Sequence, residues 1–307
     1  MNESLMPKII RIATRKSPLA LWQARKVSEL LKNIDNSIHI ELVKITTSGD
    51  KILDKPLYDI GGKSLFLKEL EQSLLDSNCD IAVHSMKDMP AMLHDDLMIS
   101  AVLEREDSRD VLISKEYNSL SDFKDGASIG TSSVRRICNL KHDYPNINII
   151  DMRGNVDTRI NKVFNNEVNG IILASAGLKR LGLQNKITEY LNKNVWVPAI
   201  GQGAIGIESR KNNSIVNNLM IKLNHKNTDL CVDAERQVSK FFNASCSSPI
   251  AANAIIDGDN IIVSSMVGKF DGSKKIYHQE IGLLKESKKV GLSVAIGLEK
   301  KGARELL

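Results

Sequence analysis

DIAVHSMKDMP, residues 80–90, carries the clearest sign of the fold class. Ile81, Ala82 and Val83 read as a short buried strand, and Pro90 closes the segment because proline cannot continue a helix or a ladder. Between them the chain brings His84, Ser85, Lys87 and Asp88 to the strand's carboxyl end. Open α/β sheets bind ligands in the crevice outside the carboxyl ends of their strands. A Lys87–Asp88 pair there can hold an anion and move a proton. The same pair on an open surface would be a weak, solvated ion pair. The flanking sequence has to separate the two readings.

On the amino-terminal side, KIIRIA (8–13) predicts a strand, and SPLALWQARKVSELLKN (17–33) a helix with Ser17 as N-cap and Pro18 in the first turn. IHIELVKIT (38–46) predicts a second strand, and KSLFLKELEQSLLDS (63–77) has the apolar spacing of a helix on a sheet. This alternation is the signature of a parallel α/β sheet. After AVLERED (101–107) the pattern begins again: DVLIS (110–114), then SIG (128–130) leading into SSVRRICNLKHD, then INIIDM (147–152) leading into DTRINKVFNN, then GIILASAGLKRLG (170–182). Two junctions match each other. IRIATRKSPLALWQA and ASIGTSSVRRICNL both run strand, Thr, Ser, Arg, helix.

The apolar, Gly-rich VWVPAIGQGAIGIESR (195–210) is expected to return the chain to the first unit, giving two lobes joined by two crossings with a cleft between them. From about residue 224 the character changes. DLCVDAERQVSKFF (229–242) predicts a helix, residues 250–281 alternate with Asp-Gly turns as an antiparallel meander does, and a helix around 288–304 closes a small α+β domain. The expected division is residues 1–103 with 201–222, then 104–200, then 223–307.

Bulk properties fit this plan. A chain of 307 residues is too long for one ordinary core and suggests two or three domains. Hydrophobic content of 42% with 26% charged residues describes a soluble globular protein. No apolar run approaches the roughly 20 residues of a membrane helix, and the amino-terminal MNESLMPKIIRIATRK lacks a signal peptide's apolar core. The cysteines, at 79, 138, 231 and 246, have no CxxC spacing, so neither zinc site nor disulfide framework is indicated and the cytoplasm is the expected compartment. A net charge of +5 with only 4% aromatics argues against base stacking on single strands and for a basic cleft that takes a small polyanion.

Arg15, Arg135, Arg136, Arg153, Arg159 and Arg180 fall at strand-to-helix junctions. Helix N-termini already favour anions, and a guanidinium grips a carboxylate with two parallel hydrogen bonds. Each bond to a charged group is worth roughly 1.5–3 kcal/mol, so several could hold a ligand with many carboxylates. Any one of these arginines could equally be a solvated helix residue; their clustering at equivalent junctions favours a site. Ser17, Thr131, Ser132 and Ser133 read as N-caps that can also donate to a ligand. Cys246, in the small-residue loop FFNASCSSPIAAN, is an accessible thiol suited to nucleophilic attack or attachment, or else an inert thiol. Cys79 and Cys138 look structural, and His84 fits a satisfied interior position outside the chemistry.

With these elements in hand, the chain resembles the porphobilinogen deaminase family. The matching segments are IRIATRKSPLALWQA, GDK, GGKSLFLKELE, DIAVHSMKDMP, LEREDSRDVLIS, IGTSSVRR, RGNVDTR, ILASAGLKRLG, PAIGQGAIGIE and CSSPIAA, in the family's order along essentially the whole chain. The resemblance implies two periplasmic-binding-protein-like lobes with a hinged cleft and a small C-terminal α+β domain. It implies a cytoplasmic, monomeric transferase that condenses four porphobilinogen molecules head to tail, releasing ammonia each time, to give linear hydroxymethylbilane. It implies a dipyrromethane cofactor held by a thioether to Cys246, and no metal. Asp88 matches the catalytic aspartate and Lys87 a cofactor-binding lysine. Ser85, Asp88 itself, Thr131, Ser133, Arg135, Arg136, Arg159, Gly177, Gln202 and Gly203 match cofactor contacts. Arg15, Ser17, Lys63, Arg153, Arg159 and Arg180 match residues that hold the substrate's acetate and propionate groups.

The chemistry accounts for the residue types. Loss of ammonia leaves an electron-poor azafulvene, whose charge a carboxylate at Asp88 can stabilise through pyrrole N–H groups. The same carboxylate can carry the proton lost on rearomatisation. Each pyrrole brings two carboxylates, which explains the arginines, and tethering the growing chain avoids a bimolecular encounter in each cycle. Two departures stand out: Ser245 and Ser247 flank Cys246 where the family usually has glycine and glutamine, and Asp59 precedes GGK where a basic or neutral residue is common. The spacing from Cys246 to Pro249 survives. Two other classes are compatible with a basic two-lobed chain. A solute-binding protein for anions would need neither Asp88 nor Cys246, and an RNA-binding protein would show strongly salt-dependent affinity.

Overall fold

In the computed structural model, which describes residues 7–51, 66–245 and 247–307, β1 (Ile9–Arg15) runs into α1 (Pro18–Ile34) where the hydrophobic pattern puts them. Ser17 caps α1, its Oγ accepting from the Ala20 N–H at 3.3 Å, and Ala24, Val27 and Leu31 turn one face inward. After these come β2 (His39–Ile45), α2 (Ser48–Lys51), α3 (Lys68–Leu75), β3 (Ile81–Ser85), β4 (Leu97–Val102), β5 (Asp110–Ser114), β6 (Ser128–Gly130) and α4 (Val134–Asp143). Next are β7 (Asn148–Ile150), α5 (Val156–Phe164), β8 (Gly170–Ala174), α6 (Ser175–Arg180), β9 (Glu189–Tyr190), β10 (Ile205–Arg210) and α7 (Ser214–Ile221). The chain ends in α8 (Lys226–Phe241), β11 (Ile250–Asp257), β12 (Asn260–Gly268), β13 (Lys275–Leu283) and α9 (Ser287–Lys300). Lys63, Asp59 and Cys246 lie outside the described residues.

The described chain divides into two compact units, one of residues 7–51, 66–105 and 204–229, the other of 106–203 and 230–307. The first unit contains a five-stranded sheet in the order β2-β1-β3-β10-β4. Strand alternation gives it two buried faces. Ile10, Ile12, Ile81 and Val83 pack with Val27 and Leu31 of α1 and Leu219 and Met220 of α7, whereas Ala13 and Ala82 pack with Leu70 and Leu74 of α3. A sheet covered on both faces reads as continuous apolar runs, which is why IAV in β3 is uninterrupted.

The second unit repeats this order as β7-β6-β8-β5-β9. Its faces are again separate: Val111, Ile113 and Ile171 pack with Ile160 and Val163 of α5, and Leu112, Ile129 and Ile172 pack with Leu140 of α4. The two junctions that match in sequence, β1 into α1 and β6 into α4, occupy the same place in the two sheets.

Neither sheet is purely parallel, which corrects the expectation from the alternating pattern. β1, β2 and β3 are parallel, but β10 is antiparallel to both β3 and β4. The reason lies in where the chain enters. Ile205 begins β10 opposite Ser85, the last residue of β3, so the strand must run back along β3. Asp110 likewise begins β5 opposite Ala174, the last residue of β8. Parallel pairing would need a crossover of about a dozen residues at each point. α7 is an addition to the expected elements; its start depends on one side chain, Asn213, whose Oδ1 accepts from the Val216 N–H at 3.3 Å.

The second unit also carries the expected three-stranded antiparallel meander, β11-β12-β13, covered by α8 and α9. Val238, Ala252, Val263, Val294 and Leu298 form its core. α9 approaches α8 closely at Gly291, where a Cβ would sit 2.1 Å from the Ala234 carbonyl oxygen and 2.8 Å from its carbon. Backbone cannot yield there as a side chain does. Gly291→Ala should therefore cost about 1–3 kcal/mol by overpacking, seen as a lower urea midpoint with an unchanged slope.

Candidate functional site

In the first unit the chemistry-bearing residues gather where β3 ends. Ser85 closes the strand, and Met86–Asp88 turn once as a 3₁₀ helix that Met89 closes by donating to the Met86 carbonyl at 3.2 Å. Met86 N–H donates to the Ala204 carbonyl at 3.0 Å, which pins this turn to the start of β10. Ser85, Lys87 and Asp88 are all half-buried beyond the strand, while Met86 fills the core. Ser85 Oγ accepts from Gln23 Nε2 at 2.8 Å, so the buried Gln23 of α1 orients it.

His84, one residue before this turn, is occupied elsewhere. Its Nε2 donates to Glu208 Oε2 of β10 at 3.1 Å, with both side chains buried. Burial, and then the nearness of Glu208, push the Glu71 carboxyl above its ordinary range. His84 is therefore an interior residue, as the sequence indicated. Removing one member of such a pair would strand a buried polar group.

Arg15, at the end of β1, is committed to Asp50, and its guanidinium also lies 4.0 Å from the Phe66 ring centroid. Asp50 Oδ2 accepts in addition from Thr47 N–H at 3.2 Å and Thr47 Oγ1 at 2.8 Å. Burial raises the Asp50 carboxyl, but the Arg15 and Thr47 hydrogen bonds outweigh it and hold the group below the usual range. Ser17, beside Arg15, is the N-cap of α1.

In the second unit the residues after β6 take three different roles. Thr131 is buried, and its Oγ1 accepts from Ser133 N–H at 3.3 Å. Ser132 Oγ donates to the Met152 carbonyl at 2.5 Å and accepts from the Met152 N–H at 3.0 Å, tying this loop to the one that bears Arg153. Ser133 stands at the N-cap position of α4 but its side chain makes no capping bond. Of the four residues read as caps, Ser17 alone accepts from its helix. Ser132 is taken by Met152, 20 residues away in a neighbouring loop that local sequence does not reveal, while Thr131 is taken by the Ser133 N–H two residues on.

Arg135 and Arg136 are not solvated. Arg135 Nη1 donates to Asp110 Oδ2 at 2.7 Å and to the Val197 carbonyl at 2.9 Å. Arg136 donates through Nη2 to Asp110 Oδ1 at 2.8 Å and through Nη1 to the Ile172 carbonyl at 2.7 Å. Gln202 Nε2 donates to the same Asp110 Oδ1 at 2.9 Å and to the Ser108 carbonyl at 2.6 Å. Exposure is 0% for Asp110, 1% for Gln202, 3% for Arg135 and 6% for Arg136. Burial alone would raise the Asp110 carboxyl, yet the two guanidiniums hold it far below its ordinary range. Arg136 is shifted down by burial.

Gln202 sits between Gly201 and Gly203, at φ +71° and +88°, conformations that favour glycine. Glu235 of α8, wholly buried, fixes this loop by accepting from the Gly201 N–H at 2.7 Å and from the Ala254 N–H at 2.7 Å. Arg180 Nη2 donates to the Gly203 carbonyl at 2.6 Å, and Gly177 is buried one turn earlier in α6. Arg159 Nε donates to the Gly154 carbonyl at 2.8 Å, beside the half-buried Arg153. Burial, then the neighbouring Arg136 and Arg153, bring Arg159 down to about 10, and burial brings Arg180 down to about 10. Burial disfavours both charged guanidiniums, and at Arg159 two neighbouring arginines add to it, so an anion there would be welcome.

A ligand that carries both carboxylates and ring N–H groups makes specific demands on the donor set. Arg135 Nε and Arg136 Nε are buried with no hydrogen-bond partner among the described residues, and so is Gln202 Oε1. Because both atoms facing Gln202 Nε2 only accept, the amide orientation is fixed and Oε1 remains an acceptor. The set therefore leaves cationic donors and one neutral acceptor, which suits such a ligand. Sequence reading missed Gln23, Asp50, Asp110 and Glu235. Asp110 carried a signal: an acid opening the apolar strand DVLIS.

Comparison with known proteins gives a family. The family model described as porphobilinogen deaminase, dipyrromethane cofactor binding domain, matches residues 10–218, and that for the porphobilinogen deaminase C-terminal domain matches residues 229–300. Among solved structures the chain is similar to the BvgS VFT2 domain of Bordetella pertussis, at 14% identity, covering 70% of this chain and 86% of that one with a TM-score of 0.45. It is similar also to the aliphatic sulphonate binding protein SsuA of Escherichia coli, at 12% identity, 76% and 70% coverage and a TM-score of 0.42. A YaeC-family lipoprotein of Enterococcus faecalis matches at 13% identity, 72% and 93% coverage and a TM-score of 0.43.

An acid-stability profile tests the charge arrangement in the second unit. Burial would raise the Asp107 carboxyl, but Arg109, which grips it at 2.8 and 3.0 Å, and Lys179 hold it down to about 2. Asp107 and Asp110 thus both titrate below the ordinary value of 3.8. Their stabilisation is complete above that ordinary value and is lost as pH falls through the folded values. The urea midpoint should hold from about pH 7 to 5 and fall below about pH 4. Asp107→Asn should make that fall shallower; an identical profile would show that Asp107 contributes nothing to it.

Proposed function

The chain belongs to the porphobilinogen deaminase family, transferases that build hydroxymethylbilane with a dipyrromethane cofactor, and we propose that its residues divide that work between an Asp88 centre and an arginine-lined cofactor site. The reaction is read as head-to-tail condensation of four porphobilinogen molecules with loss of ammonia at each step. The proposal includes a monomer working in the cytoplasm, and among the described residues no helix is long and apolar enough to cross a membrane. The observation that carries the reading is the pair of family models, which between them run from residue 10 to residue 300.

When bound, the cofactor supplies a covalent primer on which the pyrrole chain is extended. Cys246 is the proposed point of attachment and lies outside the described residues. Arg135, Arg136 and Gln202 are proposed to hold the cofactor with Ser85, Lys87, Thr131, Ser133, Arg159, Gly177 and Gly203. Arg135 and Arg136 still have buried Nε donors for carboxylates, and Gln202 has a buried Oε1 for a ring N–H. Arg15, Ser17, Lys63, Arg153, Arg159 and Arg180 are proposed to take the substrate's acetate and propionate groups; Lys63 too lies outside the described residues.

Asp88 is proposed as the catalytic carboxylate. It sits one turn past the end of β3, on a backbone fixed by the Met86–Ala204 bond. A carboxylate held there can accept from pyrrole N–H groups as positive charge develops on the ring, and then carry away the proton released at carbon. Gln23, by orienting Ser85, keeps the neighbouring hydroxyl available on the same turn.

Two measurements test this division. Asp88→Asn should fold and keep the cofactor by intact mass while turnover falls by roughly 10²–10⁴-fold; near-normal turnover would remove Asp88 from catalysis. Cys246→Ala should have the mass of the bare polypeptide, whereas the parent protein should be heavier by two linked pyrrole units. A parent mass equal to the bare chain, with reversible porphobilinogen binding, would favour a binding protein.

A further inference from the structure

Asp110 gives the second unit an acid that no step of the reaction uses. It is wholly buried, opens β5 and meets Ala174 at the carboxyl end of β8. Its two oxygens take donors from Arg135, Arg136 and Gln202, at 2.7, 2.8 and 2.9 Å. These donors come from the start of α4 and from the loop that precedes β10, segments that approach Asp110 from different directions in the chain.

Stability is a poor explanation for such a group. Desolvating two guanidiniums and a carboxylate costs several kcal/mol per ion, and apolar replacements of buried ion pairs are often neutral or stabilising. Position explains it better. Each arginine is held at two points, the Asp110 carboxylate and one backbone carbonyl, Val197 for Arg135 and Ile172 for Arg136. Gln202 is held the same way, by Asp110 and the Ser108 carbonyl. These contacts hold each side chain at two points, and among the described residues the buried atoms left without a partner include the two Nε donors and the Oε1 acceptor.

Charge points the same way. Two guanidiniums and one carboxylate leave one uncompensated positive charge in a buried place, and a buried net charge calls for a counter-ion.

We propose that Asp110 is a positioning residue for the cofactor site: it fixes Arg135, Arg136 and Gln202 in their binding orientations and lowers their joint charge so that the cluster takes one ligand carboxylate. This rests on the reading of those three residues as cofactor contacts. Asp110 touches neither substrate nor cofactor and acts through the side chains it holds. Asp110→Asn puts an amide nitrogen where an oxygen accepted, so at least one of three donors must turn away.

The test compares full-length variants at matched loss of stability. Asp110→Asn should fold, with the fraction carrying covalent cofactor by intact mass reduced about tenfold or more, since displacement by about 1 Å can cost 10²-fold. Gly291→Ala, which loosens the same unit at the α8–α9 contact and alters no side chain of this cluster, should keep full occupancy and parental turnover per folded molecule. If Asp110→Asn does not fold, Asp110→Glu is read in its place: the charge is kept, the oxygens are displaced, and occupancy should again fall. Occupancy in the Asp110 variant equal to that of Gly291→Ala would overturn the proposal and leave a structural acid. Arg135→Gln and Arg136→Gln separate the premise. If they keep full cofactor occupancy, the reading of the arginines fails and this proposal falls with it; if they lose it while the Asp110 variant does not, only the role of Asp110 fails.

Discussion

The buried carboxylate of Asp110 organises the site in the second unit. Among the described residues it is the one group that Arg135, Arg136 and Gln202 all address, and it reconciles two requirements that conflict. A site for a polycarboxylate needs several cations close together, and close cations repel each other. Arg159, brought down to about 10 by burial and by its arginine neighbours, shows that repulsion. An internal acid neutralises part of the charge and gives each guanidinium a fixed partner, so the site is organised before any ligand arrives. The cost of burying Asp110 is offset by three donors aimed at it.

The same logic, at lower burial, organises the first unit. Asp50 holds Arg15 as Asp110 holds the paired arginines, and Thr47 adds the donors that Gln202 adds in the second unit. Both acids sit near the carboxyl ends of strands in sheets of corresponding layout, β2-β1-β3-β10-β4 and β7-β6-β8-β5-β9, in which three parallel strands are followed by one antiparallel strand from the other chain crossing. The fold thus presents two equivalent places, each bearing an arginine after a strand.

Much of this is legible in the sequence, for physical reasons that can be named. The strand at Ile81–Ser85 is evident because burial on both faces demands an unbroken apolar run. The α1 start is evident because Ser17 and Pro18 are local signals with local partners. The antiparallel course of β10 and β5 is hidden, since strand direction depends on where the chain re-enters a sheet and not on the residues of the strand. Arg135 and Arg136 look like helix-surface cations because their partner lies 25 and 26 residues away in sequence. Ser132 looks like a cap for the same reason, its partner Met152 being 20 residues distant. Gln23, on the buried face of α1, gives no sign that it orients Ser85, 62 residues away. Local chemistry can be read; pairing across the sheet cannot.

If this chain extends a pyrrole polymer on itself, the growing product must be visible as added mass on the protein. The decisive measurement is intact mass after the purified protein meets a small molar excess of porphobilinogen, quenched within a turnover. The expected result is a series of covalent species, each heavier than the cofactor-bearing chain by a further equal pyrrole increment. A single unchanged protein mass while porphobilinogen is consumed or bound would refute extension on the chain.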